Sequence, residues 1–169
     1  MAELKIPDGP FEGIIFDCDG TLADSMPIHY QAWSDAFRTH GARFDFTWET
    51  FYSLAGKGGI DSVTVLNERH GDSLDPLAVT QTQIERLDEI FHNVQPIPQV
   101  AALARAYHAE GKKISVASGG NRRHVHETLL AIGLADIFDV VVTQEDVARS
   151  KPAPDIFLLA AQKMGVEPA

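Results

Sequence analysis

Gly13-Ile14-Ile15-Phe16-Asp17-Cys18-Asp19-Gly20-Thr21 decides how the rest of the chain is read. A short apolar run closed by Asp, Gly and Thr has the pattern of a strand buried on both faces that runs out into a polar loop. Beyond it the rhythm becomes helical. After Ser25 and Pro27, Trp33, Ala36 and Phe37 recur at helical spacing, with His29 and His40 in phase, until Gly41 stops the helix. A second helix is expected from Thr47 to Ala55, and Gly56-Lys57-Gly58-Gly59 then predicts a flexible or ligand-hugging loop. Val63 and Leu66 mark a short helix ending near Gly71. Asp75-Pro76 opens another, with a capping carboxylate followed by proline in the first turn and an expected apolar stripe of Leu77, Ile84, Leu87 and Phe91. Gln95-Pro96-Ile97-Pro98 punctuates the chain, so residues 27–95 read as a helical insertion with hinges near both ends.

From Gln99 onward helices and strands alternate. A helix through Leu103 and Tyr107 leads to a strand at Ile114–Ala117. A helix through Val125 and Leu129 follows, then a strand at Val140-Val141-Val142 and a helix through Ile156, Leu159 and Ala160 to Gly165. Strands separated by helices of this length imply right-handed crossovers, so the expected class is α/β: a parallel sheet with helices on its faces. The 169 residues, 44% of them hydrophobic and 22% charged, suit one main globular domain with a small insertion. Lys and Arg total 14 against 24 for Asp and Glu, a net charge of −10 that opposes non-specific attachment to nucleic acid or to an anionic membrane. Cys18 is the only cysteine, which excludes an intrachain disulfide and a multi-thiolate metal cage and fits a reducing cytoplasm. Residues 1–16 lack the apolar core of a signal peptide, so a cytoplasmic location is expected.

Open parallel sheets bind ligands beyond the carboxyl ends of their strands, and three polar signals fall there: Asp17-Cys18-Asp19-Gly20-Thr21, Ser118-Gly119-Gly120 and Lys151-Pro152. Two residues apart in an extended chain, Asp17 and Asp19 aim to the same side, so one can attack while the other, held protonated, donates to a leaving group. A surface Asp-Gly turn and a calcium loop compete with this reading. The calcium loop fails because Leu22 stands where it needs glycine and Ile28 where it needs an acid. The Ser118 hydroxyl with the amides of Gly119 and Gly120 at a helix start forms an anion cradle. Lys151 beside a phosphoryl group would neutralise its oxygens. Cys18 reads as a small buried filler between the two acids.

Phe16-Asp17-Cys18-Asp19-Gly20-Thr21 with Asp24-Ser25, then Ser118 after an apolar strand, then Ser150-Lys151-Pro152-Ala153-Pro154-Asp155, resemble the haloacid dehalogenase (HAD) superfamily, and within it the β-phosphoglucomutase-like group that includes sugar-phosphate phosphatases. The resemblance covers nearly the whole chain. It implies a Rossmann-like core, discontinuous over residues 1–26 and 96–169, and a helical cap domain at 27–95. It also implies a Mg²⁺-dependent phosphatase in which Asp17 is the nucleophile and Asp19 the general acid and then base, with the Asp17 carboxylate and the Asp19 main-chain carbonyl as metal ligands. Ser118 and the following amide would hold phosphoryl oxygens, Lys151 would steady the nucleophile, Thr21 would fix the loop, and His29 would sit near the hinge. On the same footing Lys57 of the cap loop is expected to reach the substrate. Asn121 and Arg122 stand where relatives hold a second phosphate, although for Arg122, with Arg123, His124 and His126, a solvated helix start competes.

The family's fourth motif, an acidic pair on a further strand, lies beyond Glu167-Pro168-Ala169, so the chain reads as a truncated enzyme whose first strand has a bare apolar edge, open to self-association. The expected partner is a small phosphorylated metabolite. Three rivals stand against the phosphatase: a phosphosugar mutase, a non-catalytic or partner-completed fragment, and a signalling receiver domain, which the long insertion after Asp17 disfavours.

Overall fold

The computed structural model describes residues 11–55 and 57–168. The chain divides into two compact units, one of residues 1–25 and 94–169 and one of residues 26–93.

The first unit is built on three parallel strands in the order β1-β2-β3: β1 Gly13–Phe16, β2 Lys113–Ala117 and β3 Val140–Val142. Phe16 lies opposite Val116, and Ala117 opposite Val142, so Asp17, Ser118 and Thr143 all leave the sheet at its carboxyl edge. α5 (Pro98–Ala109) leads into β2, α6 (Arg122–Ala131) connects β2 to β3, and α7 (Asp155–Met164) follows β3. This is the α/β arrangement the alternating pattern implies. Ala117, Val142, Ile156 and Ala160 form a buried cluster under Ile15, Val140, Val147 and Leu159, which welds α7 to the sheet. Among the described residues β1 pairs with β2 alone, and beside it Phe11, Ile15, Phe157, Leu158, Ala161 and Met164 line a cleft of about 510 Å³.

The second unit holds α1 (Met26–Thr39), α2 (Trp48–Ser53), α3 (Gly59–His70) and α4 (Pro76–Ile90). Its core is Ala36, Phe37, Leu54, Val63, Leu66, Leu74 and Val79, with Trp33, Phe44 and Phe46 packed against it. Asp75 caps α4 as its sequence suggests, accepting from the amides of Leu77 and Ala78 at 3.0 and 3.3 Å. The stripe expected on α4 is met in part: Phe91, just past the helix, is buried and Leu87 half-buried, but Leu77 and Ile84 are exposed, while Val79 and Gln83 are buried. The inward face of α4 carries a glutamine at its middle, and an apolar-only reading of the period passes over Gln83 and takes Leu77 and Ile84 in its place. The run expected as a flexible or ligand-hugging loop ends where α3 begins. Gly56 lies outside the described residues, but Gly58 caps α3 and Gly59 begins it. A Cβ on Gly59 would stand 2.6 Å from Thr80 Cγ2, so close approach of α3 to α4 is what requires glycine there.

Candidate active site

Strand β1 ends at Phe16, and the chain folds at once into a self-closed turn. The Cys18 carbonyl accepts from the amides of Thr21, Leu22 and Ala23, and the Gly20 amide donates to Ala23 O at 2.8 Å. Gly20 sits at φ +73°, a conformation that a side chain would oppose. Thr21 therefore contributes through its amide, and no hydrogen bond among the described residues uses its hydroxyl. Two backbone bonds, Asp24 N to Gln95 O and Ile97 N to Leu22 O, each 2.8 Å, anchor this turn to the segment that returns the chain to the sheet.

The turn presents Asp17 at the carboxyl edge. Asp17 Oδ1 accepts from its neighbour's amide, Cys18 N, at 2.8 Å and from Lys151 Nζ at 2.7 Å, residues 134 positions apart. No hydrogen bond among the described residues falls on Oδ2. Lys151 is itself held: its ammonium lies 5.1 Å from the Phe157 ring centroid, Ala153 N donates to Ser150 O, and Arg149 forks onto Asp155 at 3.1 and 3.0 Å. Asp19 accepts from Ser25 Oγ at 2.7 Å, and His124 Nε2 lies 3.5 Å from the same oxygen.

Cys18, between the two acids, is fully buried. Burial, then the negative charges of Asp19 and Asp17, push its thiol far above the ordinary range, so it stays protonated and unreactive, a filler as the sequence suggests.

Ser118 is buried, and its amide donates to Val142 O at 2.9 Å, which fixes the loop to β3. The expected cradle is narrower than its sequence suggests. The Gly120 amide turns back onto Ser118 Oγ at 3.1 Å, so it is not offered outward, whereas no hydrogen bond among the described residues uses the Gly119 amide. Gly119 stands beside the Lys151 loop: a Cβ there would lie 3.8 Å from Ser150 Oγ and 4.0 Å from Lys151 Cδ. Asn121 caps α6, accepting from His124 N at 2.8 Å. The Arg122 guanidinium rests on Asp146 Oδ1 at 2.8 Å and near Glu145 at 3.7 Å. His29, half-buried in α1, and Lys57, exposed between α2 and α3, belong to the second unit.

Two residues escape the sequence reading. Ser25 is buried on Asp19, and its only linear signal is a serine beside Asp24 in the first motif. His124 reads as part of a solvated helix start with Arg123 and His126, yet it is half-buried against Asp19 while the other two are exposed. These residues fall on different faces of one helical turn, so composition alone could not sort them.

The oxygen donors test the site for a hard cation. Asp17 supplies a carboxylate, and Asp19 a main-chain carbonyl within a turn whose own closing bonds run from Gly20 N to Ala23 O and from Ala23 N to Cys18 O. Carboxylate and carbonyl oxygens suit Mg²⁺, which keeps several waters of its own.

Residues 11–169 match the haloacid dehalogenase-like hydrolase family. Fructose-1-phosphate phosphatase YqaB of Escherichia coli is 34% identical over 160 residues, covering 94% of this chain and 82% of that protein. Hexitol phosphatase A, also of Escherichia coli, is 32% identical, covering 93% of this chain and 70% of its own length. Among solved structures, a mutant of CbbY of Rhodobacter sphaeroides, in complex with xylulose-(1,5)bisphosphate, superposes with a TM-score of 0.73 at 26% identity, covering 93% of this chain and 74% of that one.

The chain belongs to the haloacid dehalogenase-like hydrolases. Within them it is a phosphatase, an enzyme that hydrolyses phosphate monoesters.

Proposed function

We propose that this phosphatase hydrolyses a small phosphorylated sugar through a phosphoryl ester on Asp17, with Mg²⁺ as cofactor. The observation that carries the reading is the 2.7 Å contact of Lys151 Nζ with Asp17 Oδ1, which neutralises one carboxylate oxygen and leaves the other, without a hydrogen bond among the described residues, to act as the nucleophile. Asp17 Oδ2 attacks phosphorus while the bond from phosphorus to the sugar oxygen breaks. Asp19 donates a proton to that oxygen, and the alcohol leaves. A water then attacks the phosphorus of the aspartyl ester, Asp19 takes its proton, and inorganic phosphate departs with Asp17 restored. Ser25 holds the Asp19 carboxyl in one orientation throughout. The Ser118 hydroxyl and the Gly119 amide hold the equatorial oxygens with Lys151.

Mg²⁺, held by the Asp17 carboxylate and the Asp19 carbonyl, would supply charge neutralisation for the phosphoryl oxygens when bound. Residues 27–95 would act as the cap that selects the substrate, with His29 near its hinge and Lys57 reaching toward the sugar. The sugar class rests on what the relatives' names state: a fructose-1-phosphate phosphatase, a hexitol phosphatase and a structure with xylulose bisphosphate.

The test is a phosphate-release screen across pentose, hexose and hexitol phosphates, with and without EDTA. Release that EDTA abolishes and Mg²⁺ restores supports the reading. Release from none of these esters, or isomer formation without release, overturns it, the latter in favour of a mutase.

A further inference from the structure

The loops that carry Ser118 and Lys151 are joined by a carboxylate that the reaction itself does not use. Asp146 is half-buried just beyond β3. Its Oδ2 accepts from Thr143 N at 2.8 Å and from Thr143 Oγ at 2.9 Å, and its Oδ1 accepts from Arg122 at 2.8 Å. Thr143 is buried and directly follows Val142, whose carbonyl receives the Ser118 amide; Gln144, next in line, donates its amide to Gly120 O at 3.2 Å. Among the described residues three hydrogen bonds therefore join residues 118–122 to residues 142–146, and Asp146 makes the outermost with one side chain. The chain then runs only five residues to Lys151, which rests on Asp17.

Arg122 stands in the first turn of α6, the positive end of the helix dipole, where a cation is unfavourable unless an anion faces it. Asp146 and Glu145 are the anions that face it.

We propose that Asp146 is a positioning residue: bridging Thr143 and Arg122, it fixes the spacing between the phosphate-holding loop at Ser118–Gly119 and the Lys151–Asp17 pair, and Arg122 serves as its counterion and not as a ligand for substrate. The catalytic half of this inference rests on the aspartyl-phosphate reading above; the mechanical half does not.

The test is a cycle of Arg122→Ala, Asp146→Ala and the double variant, read in two ways. Amide hydrogen exchange of the unliganded protein follows the Gln144 amide, whose acceptor is Gly120 O. Steady-state kinetics on p-nitrophenyl phosphate separates kcat from KM. Each single variant is expected to speed Gln144 exchange and to lower kcat about tenfold, as small misplacement of a catalytic group does. The double variant should be no worse than Asp146→Ala, and Asp146→Glu should recover part of kcat. Thermal stability should barely move in Arg122→Ala, because the guanidinium is 61% exposed.

Additive losses, a KM effect confined to Arg122→Ala, or unchanged Gln144 exchange would each overturn the proposal. Should the alanine variant not fold, Asp146→Asn carries the same comparison, keeping an acceptor for Thr143 while removing the charge that faces Arg122. If the wild-type protein releases phosphate from no ester, the aspartyl-phosphate reading falls, and the exchange measurements alone decide whether the tie exists.

Discussion

In the first unit, polar side chains gather at one edge of a parallel sheet: Lys151 on Asp17, Ser25 on Asp19, Asp146 across Thr143 and Arg122. In the second, rings gather instead. Tyr30 stacks on Trp48 at 4.4 Å between centroids, Trp33 on Phe37 at 5.4 Å, and Phe44 on His70 at 4.6 Å. The first unit places its chemistry on loops that a three-stranded sheet holds still, so a substitution there should cost turnover before it costs stability. The second has helices without a sheet to align them, so its shape depends on how large side chains fit, and a substitution there should cost stability first.

The sharpest way to break this contrast is Asp17→Asn. It removes the nucleophile and one member of the Lys151 pair, and phosphate release should fall by roughly 10³-fold or more while the thermal midpoint stays near the wild-type value. Activity that survives would remove Asp17 from the reaction. The converse test is Leu66→Ala, which empties a fully buried position in the second unit. Denaturant unfolding should show a loss of about 2–5 kcal/mol, and a loss near zero would mean that the helical unit is loosely packed.

Gly59→Ala tests the close approach of α3 and α4. Its Cβ would meet Thr80 Cγ2 at 2.6 Å, and overpacking of this kind costs about 1–3 kcal/mol. Thr80→Ser deletes that methyl, so the double variant should regain most of the loss; equal stability of Gly59→Ala and its parent would refute the steric account.

The smallest effect concerns acid. For Asp146, burial alone would raise the carboxyl, but donation from the Thr143 amide and hydroxyl and from Arg122 carries it below the ordinary range. For Asp72 in the second unit, the Arg43 amide is the leading cause of a shift in the same direction. A carboxyl whose folded value is depressed adds stability that is complete above its unfolded value of about 3.9 and is lost as pH falls through the folded value. Unfolding followed from about pH 6 down to about pH 2 should therefore show a decline in this window, and Asp146→Asn should flatten it. An unaltered slope in that variant would mean that the carboxyl titrates alike in both states.

Several features were legible in linear order because they depend on neighbours in the chain. Asp75-Pro76 starts a helix through one side chain and the next ring, and Ile14–Phe16 and Val140–Val142 announce strands by apolar continuity, although in each only the last residue is buried. Other features were hidden. Gln83 is polar yet buried, so the stripe expected on α4 took in the exposed Leu77 and Ile84 and missed Val79 and Gln83. His124 sits among charged residues and still packs against Asp19, and the Gly120 amide bonds to Ser118 and leaves the outward cradle to Gly119.

Residue order alone settled the α/β class, the helical insertion and the identity of the acids, serine and lysine that end near the strands, because strand and helix periods and motif spacing are local properties. The folded chain settled which of those groups meet. The pairing of Lys151 with Asp17 and of Arg122 with Asp146 depends on strand register and loop path across more than a hundred residues in one case and twenty-four in the other. Distances of that kind arise from packing, which no window along the chain contains.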